Sequence, residues 1–201
     1  MTIDFLNQNT ASLNTDSEAS LDSQPNIQAT TQSDHSVTLF PKTGGAETVR
    51  PEFWSRFALT ELNHSEWEAL CDGCGSCCLI KYIDNDDDEE LVEYTDVTCQ
   101  LMDCATGYCR HYATRQEHVP DCIQLTMENL PNMMWLPSHC AYKRLYKGQN
   151  LPSWHLLLTG NAVTTQQQMR AANVGVAGRC VSEIGMSDEE METRVVHWVN
   201  P

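Results

Sequence analysis

Cys71-Asp72-Gly73-Cys74-Gly75-Ser76-Cys77-Cys78 is the stretch on which the reading of this chain turns. It spells C-x2-C-x2-C-C. Three-residue spacing lets a tight turn aim two thiolates at one ion while backbone N–H groups point at the sulfurs and disperse their charge. Gly73 and Gly75 suit such turns because they reach positive φ without a Cβ penalty. The first three spacings coincide with those of the ferredoxin run, whose fourth cysteine follows four residues later instead of next door. Adjacent Cys77 and Cys78 are not expected to turn easily toward one tetrahedral zinc. One of them is left to a second metal, a bridge or a packed thiol.

Outward from this run, nine of the ten cysteines lie between Cys71 and Cys140, and Cys180 stands apart as an expected small buried hydrophobe. In a short secreted chain such density reads as a disulfide framework, but 201 residues need no staples. The start of the chain shows neither a basic n-region nor an apolar h-region, so the expected compartment is the cytoplasm. Clustered thiols in a reducing compartment hold a metal more often than they pair. A net charge of −16 and a pI near 4.6 argue against nucleic acid and anionic lipid as partners, since both call for a surplus of Lys and Arg. No apolar stretch approaches the roughly 20 residues that span a bilayer.

Half of the first forty residues are Ser, Thr, Asn or Gln. A segment so polar cannot bury enough apolar surface to offset its ordering entropy, so residues 1–48 are expected to be a disordered tail, with Gly44 and Gly45 as its hinge. Residues 49–201 form the expected cysteine-cluster domain. Phe53, Trp54, Phe57, Leu59 and Leu62 lead into a helix that Asn63 caps, with Glu66 reaching back and Trp67 and Leu70 on one face. Leu79 to Ile83 and Leu91 to Val97 read as a hairpin around an acidic loop from Asp84 to Glu90. That loop departs from a calcium loop, with Glu89 where glycine is required and Thr95 where a bidentate Glu belongs, and reads as a solvated turn.

Short elements follow: a turn of helix after Thr126, a helix from His139 to Tyr146 ended by Gly148, and a Gln-rich helix over Thr165–Ala172. A last helix opens on the capping box of Ser187 and Glu190, with Met191, Val195 and Val199 repeating every four residues as a core stripe. Lys143, Arg144 and Lys147 read as a solvated face. The expected fold class is thus a small, loop-rich α+β domain with short helices and a β-hairpin, stabilised by metal. Neither an internal repeat, nor a glycine-rich phosphate loop, nor G-x-S-x-G occurs.

Both a mononuclear zinc and a cubane want four protein ligands, so the first run needs help from Cys99, Cys104, Cys109, Cys122 or Cys140, with His111, His118 and His139 nearby. Trp67 through Cys78, then Cys109-Arg-His-Tyr112, Val119-Pro-Asp-Cys122, Trp135-Leu-Pro, Cys140-Ala-Tyr142, Leu151-Pro-Ser-Trp154-His155 and Gly178-Arg179 together resemble the bacterial CxxCxxCC cysteine-cluster family of the YcgN type. The resemblance covers roughly residues 51–199. It implies a zinc- or iron-chelating protein with no settled reaction, in a family whose clusters also occur attached to a flagellin lysine methylase. One departure stands out: family members carry Cys-x-Cys before Arg-x-Tyr, and here Gly107 replaces the first of the pair, with Cys104 as a substitute from the other side.

On this resemblance, and because thiolates suit both zinc and iron–sulfur chemistry, the expected metal ligands are Cys71, Cys74, Cys77, Cys78, Cys109, Cys122 and Cys140. Cys140 would open a helix whose N–H groups lower its thiol pKa. The expected cofactor is zinc or iron, the latter including an iron–sulfur cluster, and the expected partners are a metal ion and an unidentified protein. The functional reading is a non-catalytic metal-binding module, with an iron–sulfur redox or modification component and an iron- or zinc-handling protein as alternatives.

Overall fold

The computed structural model describes residues 47–84 and 91–201. The expected polar tail and its Gly44–Gly45 hinge, apart from residues 47 and 48, lie outside the described residues, as does the acidic loop beyond Asp84. Thirteen short elements follow in chain order among the described residues: α1 (Phe53–Arg56), α2 (His64–Ala69), β1 (Leu79–Asp84), β2 (Leu91–Thr98), β3 (Met102–Asp103), β4 (Tyr108–Cys109), α3 (Arg115–His118), α4 (Ala141–Tyr146), α5 (Leu156–Thr159), α6 (Ala162–Ala171), β5 (Val181–Ser182), α7 (Asp188–Glu192) and β6 (Val195–Val196). Only α6 is as long as 10 residues, so tertiary packing rather than helix propensity holds these elements. The class is small α+β, as the composition of short periodic segments implied.

Local chemistry explains where the helices begin. Asn63 Oδ1 accepts from Glu66 N at 2.9 Å, and Glu66 Oε2 accepts from Asn63 N at 3.1 Å, the reciprocal box expected at the start of α2. Ser187 and Glu190 repeat the device at α7. Asn161 starts α6 by accepting from Thr164 N, three residues earlier than the Gln-rich pattern suggested. The expected turn after Thr126 appears as a bond from Leu130 N to Thr126 O, followed by one turn of 3₁₀ helix. Glu66 is wholly buried, and the Arg50 guanidinium grips both of its oxygens at 2.7 and 2.6 Å. That pairing holds the Glu66 carboxyl down at about 2 and ties residue 50 to α2.

β2 is the centre of a four-stranded sheet. It pairs antiparallel with β1, with Lys81 opposite Tyr94, and its other edge takes β5 in parallel at Val97–Thr98 and β6 antiparallel at Tyr94–Thr95. The expected hairpin is therefore present, with a bulge between Leu79 and Lys81, where Thr95 Oγ1 donates to Ile80 O at 2.9 Å. The last apolar stripe is corrected: helix α7 stops at Glu192, and Val195 lies in a strand. Arg194 grips Asp96 through two bonds of 2.7 Å, and β6 finds an open edge on β2, so sheet pairing wins over helical periodicity. Val199 is nonetheless core, as expected.

Two apolar cores result. Phe53, Leu70, Leu130, Leu136, Ala141, Tyr142 and Leu151 make the first, while Leu79, Tyr94, Met102, Val176, Cys180 and Val199 make the second. Each fully buried large side chain contributes about 1.5–3 kcal/mol of burial free energy. The cysteine run lies between the cores: Leu70 and Cys71 belong with the first, Cys78 and Leu79 with the second.

Candidate metal centre

The chain leaves α2 under tight restraint. His155, wholly buried, sets Nε2 3.0 Å from Leu70 O, while its Nδ1 accepts from Leu157 N, so the Nε2–H tautomer satisfies both and burial keeps the ring neutral. Buried Asp72 accepts from Cys74 N and from Trp154 Nε1, each at 3.1 Å. Gly73 stands at φ +71°, and a Cβ there would lie 2.4 Å from Tyr108 Cε1; Gly75, at φ +72°, would meet Val176 Cγ2 at 2.5 Å. Both glycines are thus required by positive φ and by close approach. Ser76, Cys77 and Cys78 then form a single 3₁₀ turn.

That turn places Cys77 Sγ 3.9 Å from Cys78 Sγ. The edge of a tetrahedron with zinc–sulfur bonds of about 2.3 Å is about 3.8 Å, so adjacency is no steric bar to the two sulfurs facing one ion. Cys71, Cys77, Cys78, Cys99, Cys109 and Cys122 all line one cavity of about 380 Å³. Their convergence has backbone causes. Cys99 N donates to Cys78 O at 3.1 Å, Met102 N donates to Cys99 O at 2.9 Å, and Met102 pairs with Cys109 across β3 and β4. Cys74 and Cys140 are not on that wall, yet the charges of Cys77 and Cys140 act on Cys74, and those of Cys77 and Cys140 act on Cys71. Among the described residues no three Cys, His, Asp or Glu side chains stand at the spacing that closes a coordination sphere. The thiols share a chamber rather than a finished cage.

Burial dominates the electrostatics. It pushes the thiols of Cys71, Cys74, Cys99 and Cys122 upward, and Cys140 up to about 12. Cys140 does precede α4, and the N–H groups of Tyr142 and Lys143 lower its pKa as expected, but desolvation is larger and reverses the predicted direction. Cys77 goes the other way, because Cys78 hydrogen-bonds its thiolate and Lys81 stands near. The same contact pushes Cys78 up. Lys81 Nζ donates to Cys77 O at 3.2 Å and lies over Trp135, while Arg115 donates to Tyr112 O and its charge acts on Cys122, so two cations stand by the thiols of an acidic protein.

The donor set fits zinc or iron. Soft thiolates suit both metals, and a bound cation reverses the burial penalty that keeps neutral thiols protonated. Among the described residues two buried polar side-chain atoms lack partners, Ser76 Oγ and His139 Nε2, and they belong to the residues immediately before Cys77 and Cys140. A donor at either place can bond to a thiolate sulfur. Eight thiols also exceed what one mononuclear zinc takes.

Three residues are placed by the fold rather than by spacing. Cys104 does not line the cavity and packs on the second core. Lys143 is not on a solvated face: it is buried, with Nζ donating to Met134 O and Leu136 O at 2.7 Å each. Cys99, left out of the expected ligand set, is on the cavity wall. Its signal was the hairpin register, since pairing Leu79 with Thr98 sets the next residue beside Cys78.

No helix among the described residues is long and apolar enough to cross a membrane. No solved structure matches the chain. A family profile described as CxxCxxCC, "putative zinc- or iron-chelating domain", matches residues 70–141. Proteins named UPF0260 from Shewanella amazonensis and Shewanella denitrificans are each 45% identical to it, over 95% and 94% of their own lengths and 73% of this chain. A UPF0260 protein from Parvibaculum lavamentivorans is 43% identical over 92% of its length and 73% of this chain. With relatives 43–45% identical and matched over more than nine-tenths of their own lengths, the chain belongs to the UPF0260 family of CxxCxxCC proteins.

Proposed function

We propose that this protein is a cytoplasmic metal-chelating module in which thiolates around the cavity hold zinc or an iron–sulfur centre, and in which the metal stabilises the fold that faces a protein partner. The observation that carries the reading is the gathering of six cysteines from four separate chain segments onto one 380 Å³ cavity. Such gathering of buried thiols has an electrostatic cost that a bound cation offsets, and structural metal contributes about 10 kcal/mol or more to folding. The ligands are Cys71, Cys74, Cys77, Cys78, Cys109, Cys122 and Cys140, with Cys99 added. When bound, the metal supplies a fixed cross-link between the two cores, or electron storage if it is an iron–sulfur cluster. Lys81 and Arg115 offset the negative charge of the thiolates, and Asp72, Trp154 and His155 orient the first turn.

The iron–sulfur alternative is favoured by the cavity volume and by thiols in excess of four. The experiment is anaerobic purification followed by iron, zinc and acid-labile sulfide analysis, with native alkylation before and after chelation. Brown protein with sulfide selects the cluster, and colourless protein with stoichiometric zinc selects a zinc module. Prompt labelling of Cys109 and Cys122 in protein that still retains its metal refutes their assignment, and absence of any bound metal refutes the function.

A further inference from the structure

Of the four thiols outside the cavity wall, two have each other for company. Cys104 lies in the turn between β3 and β4, half-buried against the second core, and Cys180 belongs to that core at 9% exposure, immediately before β5. The main chain locks the two segments together. Gly178 N donates to Cys104 O at 2.7 Å, Gly107 N donates to Asp103 O at 2.7 Å, and a Cβ on Gly107 would sit 3.3 Å from Ala177. Cys104 also packs against the core cluster that contains Cys180, and burial first, then the neighbouring Cys104 thiol, pushes Cys180 up to about 12. Cys180 also lies beyond residues 70–141, the stretch that the chelating-domain profile matches.

We propose that Cys104 and Cys180 form a second thiol site, a dithiol that a low-molecular-weight disulfide of the glutathione type oxidises to an intrachain disulfide, separate from the metal centre. Cys104, the more exposed of the two, loses its proton to solvent and attacks one sulfur of the small disulfide. The small disulfide's S–S bond breaks, a mixed disulfide forms on Cys104, and the first small thiolate leaves and takes up a proton. Cys180 then gives up its proton and attacks the Cys104 sulfur, expelling the second small thiol. The protein loses two electrons and two protons, and the small disulfide becomes two thiols. The new bond staples the β3–β4 turn to the segment before β5. Because β4 ends at Cys109, it also fixes one wall of the thiol cavity.

The test uses the protein as isolated, with its metal. It is incubated with oxidised glutathione, alkylated, digested without reduction and mapped by mass spectrometry, while metal content and the thermal midpoint are followed. The expected product is a Cys104–Cys180 cross-linked peptide, with metal content unchanged and the midpoint raised. In Cys180→Ser a glutathione adduct should accumulate on Cys104, because nothing resolves it, and in Cys104→Ser residue 180 should stay unmodified. Cross-links confined to the cavity cysteines, a lasting Cys104 adduct in the unaltered protein, or no reaction at either thiol would overturn the proposal. Since metal is measured in parallel, loss of the metal reading and loss of this one are separate results.

Discussion

Ten identical side chains occupy two different environments. Six thiols line the cavity, from the first cysteine run, the end of β2, β4 and the loop that follows, with Cys74 and Cys140 off its wall but within reach of the same charges and with Lys81 and Arg115 beside them. On the second core, Cys104 and Cys180 stand among Met102, Val176 and Val199. Thiols that crowd beside cations gain by becoming thiolates on a metal, whereas a pair in an apolar layer gains only from packing or from bonding to each other. The chemistry available to a cysteine is set by its neighbours, so the contrast is best tested by breaking one side at a time.

The largest effect is expected from Cys74→Ser or Cys77→Ser. Either should abolish or strongly lower bound metal and cost several of the about 10 kcal/mol that a structural metal supplies, read by metal analysis and by denaturant unfolding. Cys180→Ser, on the other side, should leave metal content unchanged. Equal metal in both classes would erase the distinction.

Gly73→Ala comes next. The added methyl meets Tyr108 at 2.4 Å on a backbone with φ +71°, so the run must shift, at about 2–4 kcal/mol of stability and with weakened metal retention. If metal retention survives intact, the shape of the turn is not what presents the thiols.

Trp154→Phe keeps the ring and removes one hydrogen bond to Asp72. Supporting bonds of this kind are worth about 10- to 100-fold in metal affinity, so a competition titration against a chromophoric chelator should show a loss near the lower end, with the thermal midpoint hardly moved. A normal affinity would remove Trp154 from the support of the site.

The smallest effect concerns acid stability, away from both thiol groups. The Glu66 carboxyl is held at about 2 against an ordinary 4.5, so the folded state binds fewer protons than the unfolded one between those values. Stability from this pair is present above pH 4.5 and is lost as pH falls toward 2. Arg50→Gln should lower stability at neutral pH and flatten the acid branch of the unfolding curve, leaving metal content untouched. An unchanged acid branch would show that Arg50 does not hold the carboxylate.

Features built from neighbours a few residues apart were determined by the sequence. The boxes at Asn63–Glu66 and Ser187–Glu190, the hairpin of β1 and β2, the glycine turns of the cysteine run and the family all follow from spacing and residue type. Only the tertiary structure decided what depends on distant partners. Val195 left its helical stripe because an edge of β2 was open to it, and Lys143 is buried because two carbonyls from residues 134 and 136 receive it. Cys99 joins the cavity because strand register sets it beside Cys78, and Cys104 packs on the second core, where Gly178 N bonds to its carbonyl. A thiol's spacing along the chain determines which neighbours it can share a turn with; the desolvation and charges that set its chemistry come from segments as far as 82 residues away, as the bond between Trp154 and Asp72 shows, and no local pattern encodes them.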